Sequence, residues 1–255
     1  MPHIKEKEIR RYFQALYQAW GDQHWWPADS PFEVVVGAYL TQNTAWTNVE
    51  RVLVNLRKAR LLSVEGIRNV RPSRLEKLIR SSGYFRQKAG RLKAFVEFLD
   101  AKYEGSLDLL FSQPTGKVRE ELLGLNGVGP ETADSILLYA GNHPVFVVDA
   151  YTRRILARHD VLPEKAAHEE IRELFERALT PLANKQRYLS SSQLKSGSGG
   201  SSHSPSAMST APRPPLVQIY NEMHGLIVGV GKFHCGKSQP KCDGCPLQRF
   251  LPGNK

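Results

Sequence analysis

Apolar residues recur along most of the chain at intervals of three and four, the spacing that places side chains on one face of an α-helix. The pattern is clearest in IRRYFQALYQAW near the start and LVQIYNEMHGLIVGVG near the end. It predicts helices over 9–20, 32–42, 49–62, 73–83, 88–103, 119–127, 131–141, 148–162, 168–179 and 216–231. The predicted fold class is therefore all-α.

Prolines and glycines stand where such helices would start and stop. A first helical turn tolerates proline, and glycine favours helix ends. The residues concerned are Pro31, Pro72 and Pro130 at starts and Gly83, Gly127 and Gly141 at ends. Only PVFVV at 144–148 resembles a strand, and it is short enough to be a buried extended connector.

The segment 188–215 differs in composition from the rest of the chain. It is rich in Ser, Gly and Pro and has almost nothing to bury, so the entropy lost on ordering it would not be offset. It is predicted to be a disordered insertion.

Composition adds a charge imbalance. Lys and Arg number 35 against 25 Asp and Glu, a formal net charge of +10, which favours a polyanionic partner, although a basic surface that merely keeps the protein in solution is the alternative. No apolar stretch approaches the roughly 18 to 20 residues of a membrane helix, and the first residues contain no signal-peptide core. We therefore expect a cytoplasmic protein with no membrane contact.

Two features of the central region carry candidate chemistry. In LLGLNGVGPETADSILLYA one predicted helix ends at a Gly-Val-Gly turn and the next starts at Pro130, which leaves unpaired backbone N–H groups that could bind a phosphate. Asp149 then follows an apolar run and precedes three arginines. Taken alone, the first feature is a tight turn and the second a helix N-cap.

Together with other motifs, these segments are similar to the helix-hairpin-helix-GPD superfamily of base-excision repair glycosylases, the relatives of endonuclease III. The likeness runs in the family's order through YLTQNTAW, SGYFRQKAGRL, the hairpin, Asp149, MHGLIVGVG and the terminal cysteines. It implies two helical domains with a cleft between them. One would be a bundle over 31–141 that ends in the hairpin, and the other would join 1–30 to 142–255.

The resemblance implies roles for individual residues. Asp149 would be the catalytic carboxylate, which stabilises positive charge on the sugar as the base departs. Gln42 would fill the gap left by a flipped nucleotide, and Tyr84 or Phe85 would wedge into the opposite strand. The remaining residues expected to contact DNA are Gly127, Val128, Gly129, Thr132 and Arg153. For Gln42, a buried amide within the bundle is the alternative. A monovalent cation at the hairpin is also expected.

Position 131 bears on the reaction class. Members of this superfamily that also nick DNA carry a lysine there, and Glu131 cannot form an imine. We therefore expect a monofunctional glycosylase that leaves an abasic site. An acid in a DNA-facing pocket also makes most sense if the flipped base is cationic, as N3-methyladenine and N7-methylguanine are. The alternative is a Glu favoured by the helix dipole.

Aromatic residues point to the same substrates. HWWP supplies Trp25, Trp26 and Pro27, and QNTAW supplies Trp46. Indole faces attract cationic rings by roughly 0.5 to 2 kcal/mol, although core tryptophans are the alternative. With Glu131 these residues would line the base pocket, and the combination resembles the 3-methyladenine glycosylase branch.

All three cysteines lie in CGKSQPKCDGC. Cys235, Cys242 and Cys245 match three ligands of the family's iron–sulfur loop, but Leu251 stands where the fourth would be. A [4Fe–4S] cluster with His234 or another group as fourth ligand is expected, and zinc or an empty site are the alternatives.

The predicted function is therefore excision of alkylated purines from double-stranded DNA by a monomer. Two other functions remain open. One is an endonuclease III-like enzyme for oxidised or mismatched bases, and the other is a non-catalytic lesion binder.

Overall fold

The computed structural model describes residues 2–183 and 204–253, and these divide into two compact units. The first unit contains residues up to Pro27 and from Pro144 onwards, and the second contains Ala28–His143. No strand occurs within the described ranges, so the all-α prediction is confirmed. Segment 144–148 is a buried extended connector, because the apolar side chains of Val145, Phe146, Val147 and Val148 are all buried.

The first unit is built from α1 and four later helices. Its elements are α1 (Pro2–Trp20), α10 (Ala150–Arg158), α11 (His168–Ala183), α12 (Ala207–Thr210) and α13 (Pro215–Phe233). Helix α1 packs against α11 and α13 because Ile9, Tyr12, Phe13 and Leu16 share one face and are fully buried. Helix α10 packs on α13 at Gly231, where a Cβ atom would lie 2.1 Å from the Tyr151 ring.

The second unit contains eight helices, of which α2 is buried from Phe32 to Leu40. They are α2 (Pro31–Leu40), α3 (Trp46–Lys58), α4 (Val64–Asn69), α5 (Pro72–Leu78), α6 (Phe85–Tyr103), α7 (Leu107–Phe111), α8 (Thr115–Leu123) and α9 (Pro130–Ser135). A 3₁₀ turn at Arg80–Ser82 precedes α6, and a π-helical turn at Ile136–Ala140 continues α9. The π turn and α6 pack against α2.

Helix boundaries match the sequence expectation at most positions. Each of the three prolines named above occupies the first turn of its helix. Some predicted ends lie about four residues too late: α3 stops at Lys58, α8 at Leu123 and α10 at Arg158, so Gly127 lies in the turn beyond α8. Helices α4, α7 and α12 were not predicted, because each is short and buries too few apolar side chains to give a periodic signal.

The predicted disordered insertion needs a correction at its end. Residues 188–203 lie outside the described residues, but 204–215 contain α12 and are ordered. Ser206 and Ser209 form a reciprocal capping box, and Arg213 donates hydrogen bonds to the carbonyls of Met208 and Ser209. These local polar contacts order a stretch that has little to bury.

Candidate active site

Asp149 is the N-cap of α10 and also faces a histidine. Its Oδ1 accepts hydrogen bonds from the backbone N–H and the hydroxyl of Thr152, at 2.7 and 2.9 Å. Its Oδ2 lies 3.6 Å from Nε2 of His224 on α13, a separation longer than a hydrogen bond but close enough for an ion pair when the imidazole is protonated. One carboxylate therefore both starts the helix and presents an oxygen beside a basic group.

The surroundings of Asp149 favour its ionised form. Burial raises the pKa of Asp149, but the proximity and charge of His224 and the hydrogen bonds from Thr152 lower it by more. The pKa of Asp149 therefore lies below its ordinary value. A carboxylate that stays charged in an apolar setting can stabilise a developing cation.

His224 is held by aromatic rings. Its ring meets the edges of Trp25 and Phe146, with centroids 6.5 and 6.3 Å away. Trp25 in turn packs edge-on against Trp26, and both indoles are only 5% exposed. Within the first unit, the predicted pocket residues Trp25 and Trp26 thus belong to the same cluster as the partner of Asp149.

Glu222 fixes the segment that leads to these tryptophans. Its carboxyl oxygens accept from the Gln23 backbone N–H at 2.7 Å and from the Gln218 amide at 2.8 Å. Burial raises the pKa of Glu222 to about 8, against the lowering effect of the Gln23 hydrogen bond. At neutral pH this carboxyl is therefore largely protonated. Nothing in the spacing of residues along the chain indicates this role.

In the second unit, Gln42 is tied to the hairpin. Its amide nitrogen donates to the Gly127 carbonyl and to the Thr132 hydroxyl, at 2.9 and 3.0 Å, and its oxygen accepts from Arg91 at 2.7 Å. Gly127 has a φ of 77°, and a Cβ atom there would lie 2.0 Å from the Arg91 guanidinium. Glycine is required at this position by both conformation and close approach.

The hairpin presents backbone around Gly129. This glycine is exposed, and a Cβ atom on it would meet nothing within 4 Å, while Val128 is buried and anchors the turn. Below the turn, Arg119 on α8 pairs at 2.7 Å with Asp134 on α9, which is fully buried. The open backbone at 129 is thus supported by a fixed helix pair.

Lys88 joins the Gln42 turn to the turn that carries Tyr84. Its ammonium donates to the Leu40 carbonyl, the Thr44 hydroxyl and the Ser82 carbonyl, at 2.9, 2.8 and 2.6 Å. Burial, and then the charge of Arg91, lower the pKa of Lys88 to about 8. Three acceptors match the three donors of an ammonium, so the group is satisfied when charged.

The other predicted DNA contacts and pocket residues differ in exposure. Tyr84 is 68% exposed, while the half-buried Phe85 ring lies beneath the guanidinium groups of Arg80 and Arg86. Arg153 donates to the Ala166 carbonyl at 2.6 Å, so it holds a loop of its own unit.

Of the pocket residues outside the tryptophan pair, Pro27 is half-buried and lies in the first unit. Trp46 and Glu131 lie in the second: Trp46 is half-buried and donates to Glu50 at 2.7 Å, and Glu131 is exposed in the first turn of α9.

The three cysteines line one cavity of about 250 Å³, together with His234 and Leu251. Arg158 at the end of α10 donates to the Cys235 sulfur at 3.1 Å and to the Gly236 carbonyl at 2.8 Å. Leu251 offers no donor atom. In the part of the chain that the structure describes, no three His, Cys, Asp or Glu side chains are grouped so as to hold a metal ion. These residues do not by themselves form a four-ligand cluster site.

None of the described helices combines the length and apolar character needed to cross a bilayer.

Comparison with known proteins agrees with this architecture. A Methanocaldococcus jannaschii protein named, provisionally, as a DNA repair glycosylase is 39% identical over 251 residues, which is 98% of each chain. Endonuclease III of Thermotoga maritima is 34% identical over 129 residues, 50% of this chain and 56% of that one.

Solved structures have the same fold. The 3-methyladenine DNA glycosylase of H. pylori, bound to 1,N6-ethenoadenine, is 27% identical with a TM-score of 0.69, covering 88% of this chain and 96% of that one. An endonuclease III–DNA covalent intermediate, at 22% identity, also has a TM-score of 0.69, covering 98% and 96%. The model of HhH-GPD superfamily base excision DNA repair proteins matches residues 36–181. The chain belongs to this superfamily of DNA glycosylases.

Proposed function

We propose that this protein excises alkylated, cationic purines by hydrolysis alone and leaves an abasic site. The observation that carries the proposal is the presence in one chain of a carboxylate at Asp149 whose pKa is lowered and of Glu131 at the hairpin position where strand cleavage would need a lysine nucleophile. The 3-methyladenine glycosylase among the solved structures supports the substrate class.

The chemistry needs little more than a fixed negative charge. A purine alkylated at N3 or N7 already carries positive charge, so it departs as a neutral base without a general acid. Asp149 stabilises the positive charge that develops on the sugar, and its Oδ2, beside His224, can take a proton from the attacking water. His224 acts as a positioning residue, because it lowers the pKa of Asp149 and so keeps the carboxylate charged.

The test is a panel of duplexes with single 7-methylguanine, 3-methyladenine, hypoxanthine, thymine glycol or G·T lesions, followed by borohydride trapping. We expect excision of the methylated purines and no trapped adduct. Preferred excision of thymine glycol or the mismatch, or a covalent adduct, would favour the endonuclease III-like alternative, which the Thermotoga relative supports.

Two substitutions test the recognition of charge. Glu131→Gln and Trp46→Ala should each lower excision of 7-methylguanine more than excision of the neutral hypoxanthine, by roughly 5- to 30-fold in the ratio of rates. Glu131→Gln should leave affinity for undamaged duplex unchanged or slightly higher, since one repulsion with phosphates is removed. Equal losses on both lesions would assign Glu131 to support of the hairpin.

We further propose that the cysteine cavity binds a [4Fe–4S] cluster through Cys235, Cys242 and Cys245, with the fourth ligand supplied by His234 or from outside the chain. Such a group would act structurally, because the loop's carbonyls at Cys235 and Gly236 hold Arg154 and Arg158 of α10. Protein purified without oxygen should contain about four iron atoms per chain. Metal-free, fully folded protein would contradict this, and stoichiometric zinc would identify the competing ion.

A further inference from the structure

A groove of about 910 Å³ lies in the second unit where the end of α3, α4 and α5 meet. Four cationic side chains line it, all of them exposed: Arg60, Arg71, Arg74 and Lys77. Glu65 is the one acidic residue of its lining. The groove therefore concentrates positive charge on a surface to which neither the sequence motifs nor the family comparison assigns a role.

These four cations differ from neighbouring arginines. Over residues 4–183 and 204–253, none of the four side chains forms an ion pair or a hydrogen bond. Arg57, by contrast, pairs with Glu33 at 2.6 Å, and Arg68 pairs with Asp100 at 2.5 Å. Charges left without acidic partners remain available for an external anion.

Arg60 lies at a helix end where glycine would be the more stable residue. The Arg60 N–H bonds to the Arg57 carbonyl and the Leu61 N–H to the Leu56 carbonyl, which is the hydrogen-bond pattern of a Schellman helix end. Arg60 is the left-handed residue of this motif, with a φ of 56°. A side chain there strains the backbone, as at Glu104 and Asp160, so replacing Arg60 by glycine would remove the charge without disturbing the helix end.

We propose that this groove binds the phosphate backbone of the duplex that flanks the damaged base. The chain belongs to a DNA-binding family, and α5 runs directly into the 3₁₀ turn that precedes the exposed Tyr84. Arg71, Arg74 and Lys77 are spaced every three residues along this approach. Arginine and lysine bind phosphates without reading bases, so the contact does not depend on which base is excised.

Arg60→Gly tests the groove, because it removes the charge while relieving the backbone strain. Affinity for undamaged duplex should fall about 3- to 10-fold, and the slope of log affinity against log salt should shrink by about one. The melting temperature should stay the same or rise, and the excision rate at saturating enzyme should not change. Unaltered affinity, or a lower melting temperature, would overturn the proposal.

Two matched controls separate charge from conformation. Glu104 has the same left-handed conformation in the same unit, with a φ of 53°, so Glu104→Gly reports the effect of the backbone change on the melting temperature. Lys58 is exposed on the same helix end but does not line the groove, so Lys58→Gln reports the loss of a generic positive charge. A loss of affinity in Lys58→Gln as large as that in Arg60→Gly would count against a defined site.

The position of the contact can be tested with Arg74→Ala/Lys77→Ala and duplexes shortened stepwise from either side of the lesion. The difference between variant and wild type should vanish when shortening from one side removes the phosphates that reach the groove. A difference that persists at every length, or no difference at any length, would show that the groove does not bind flanking DNA. A groove that binds another polyanion would give the second result.

Discussion

Two kinds of polar network, one in each unit, are centred on ionisable groups of opposite sign. In the first unit the centres are carboxylates: Asp149 caps α10 beside His224, and Glu222 holds the segment that leads to Trp25. In the second unit they are cations on α6, where Lys88 and Arg91 hold the turns and the hairpin. The sign of the central charge therefore differs with the role proposed for each network.

A carboxylate near DNA opposes binding, and the proposed catalytic role would explain why Asp149 is nevertheless present. The cations Lys88 and Arg91 of the second unit have the opposite character, because they add attraction and fix the loops expected to meet the strands. Removing the charge of Asp149 should therefore alter turnover, whereas removing the charge of Lys88 should alter stability and affinity.

The largest effect is expected from Asp149→Asn. Asparagine is also a good N-cap, so the helix should remain intact while the charge is lost. Base excision should fall about 10²- to 10⁴-fold, with duplex affinity unchanged or slightly higher, in single-turnover and anisotropy measurements. Asp160→Asn, an exposed site in the same unit, is the matched control and should behave as wild type. Retained turnover in Asp149→Asn would remove this residue from the mechanism.

The sequence predicted the fold well because long helices carry a repeated signal. Each of the ten periodic segments became a helix, since several buried side chains on one face identify it. Helix α12 was missed because it rests on Ser206 and Ser209 rather than on burial. In the sequence, the two serines of this capping box cannot be distinguished from the other serines around them.

Site residues could be predicted only where they belong to short sequence motifs. Asp149, the hairpin and Gln42 belong to short motifs, but Lys88 and Glu222 act through partners that spacing cannot reveal. Glu222 and Gln23 are 199 residues apart, and Arg91 and Gln42 are 49 apart. Only folding brings such partners together, and a lysine on an amphipathic helix otherwise predicts a solvent-facing position.

The second-largest effect is expected from Lys88→Met. It would leave the Leu40 and Ser82 carbonyls and the Thr44 hydroxyl buried without their shared donor. Unfolding free energy should fall by about 2 to 4 kcal/mol in urea titrations.

Duplex affinity of Lys88→Met should also fall below wild type, because the turns that carry Gln42 and Tyr84 lose their common anchor. Lys93→Met on the same helix, which gives up a single bond to the Arg68 carbonyl, should cost under about 1 kcal/mol. Equal stability of the two variants would mean that the ammonium is not the hub of the second unit.

The smallest effect is expected from Glu222→Gln, and it depends on pH. The pKa of Glu222 is about 8 in the folded protein against an ordinary 4.5, so the folded state binds the extra proton between these values. Its contribution to stability is full below pH 4.5 and is lost as the pH rises towards 8. Lys88, whose pKa is lowered from 10.5 to about 8, acts in the opposite direction above pH 8.

The wild-type stability profile should therefore fall from pH 5 to 8 and then recover. Glu222→Gln should abolish the fall, raise stability at pH 8 and leave the alkaline recovery in place. An unchanged profile below pH 8 would mean that Glu222 is ionised in the folded protein. The contrast between a neutral Glu222 in one unit and a charged Lys88 in the other would then be lost.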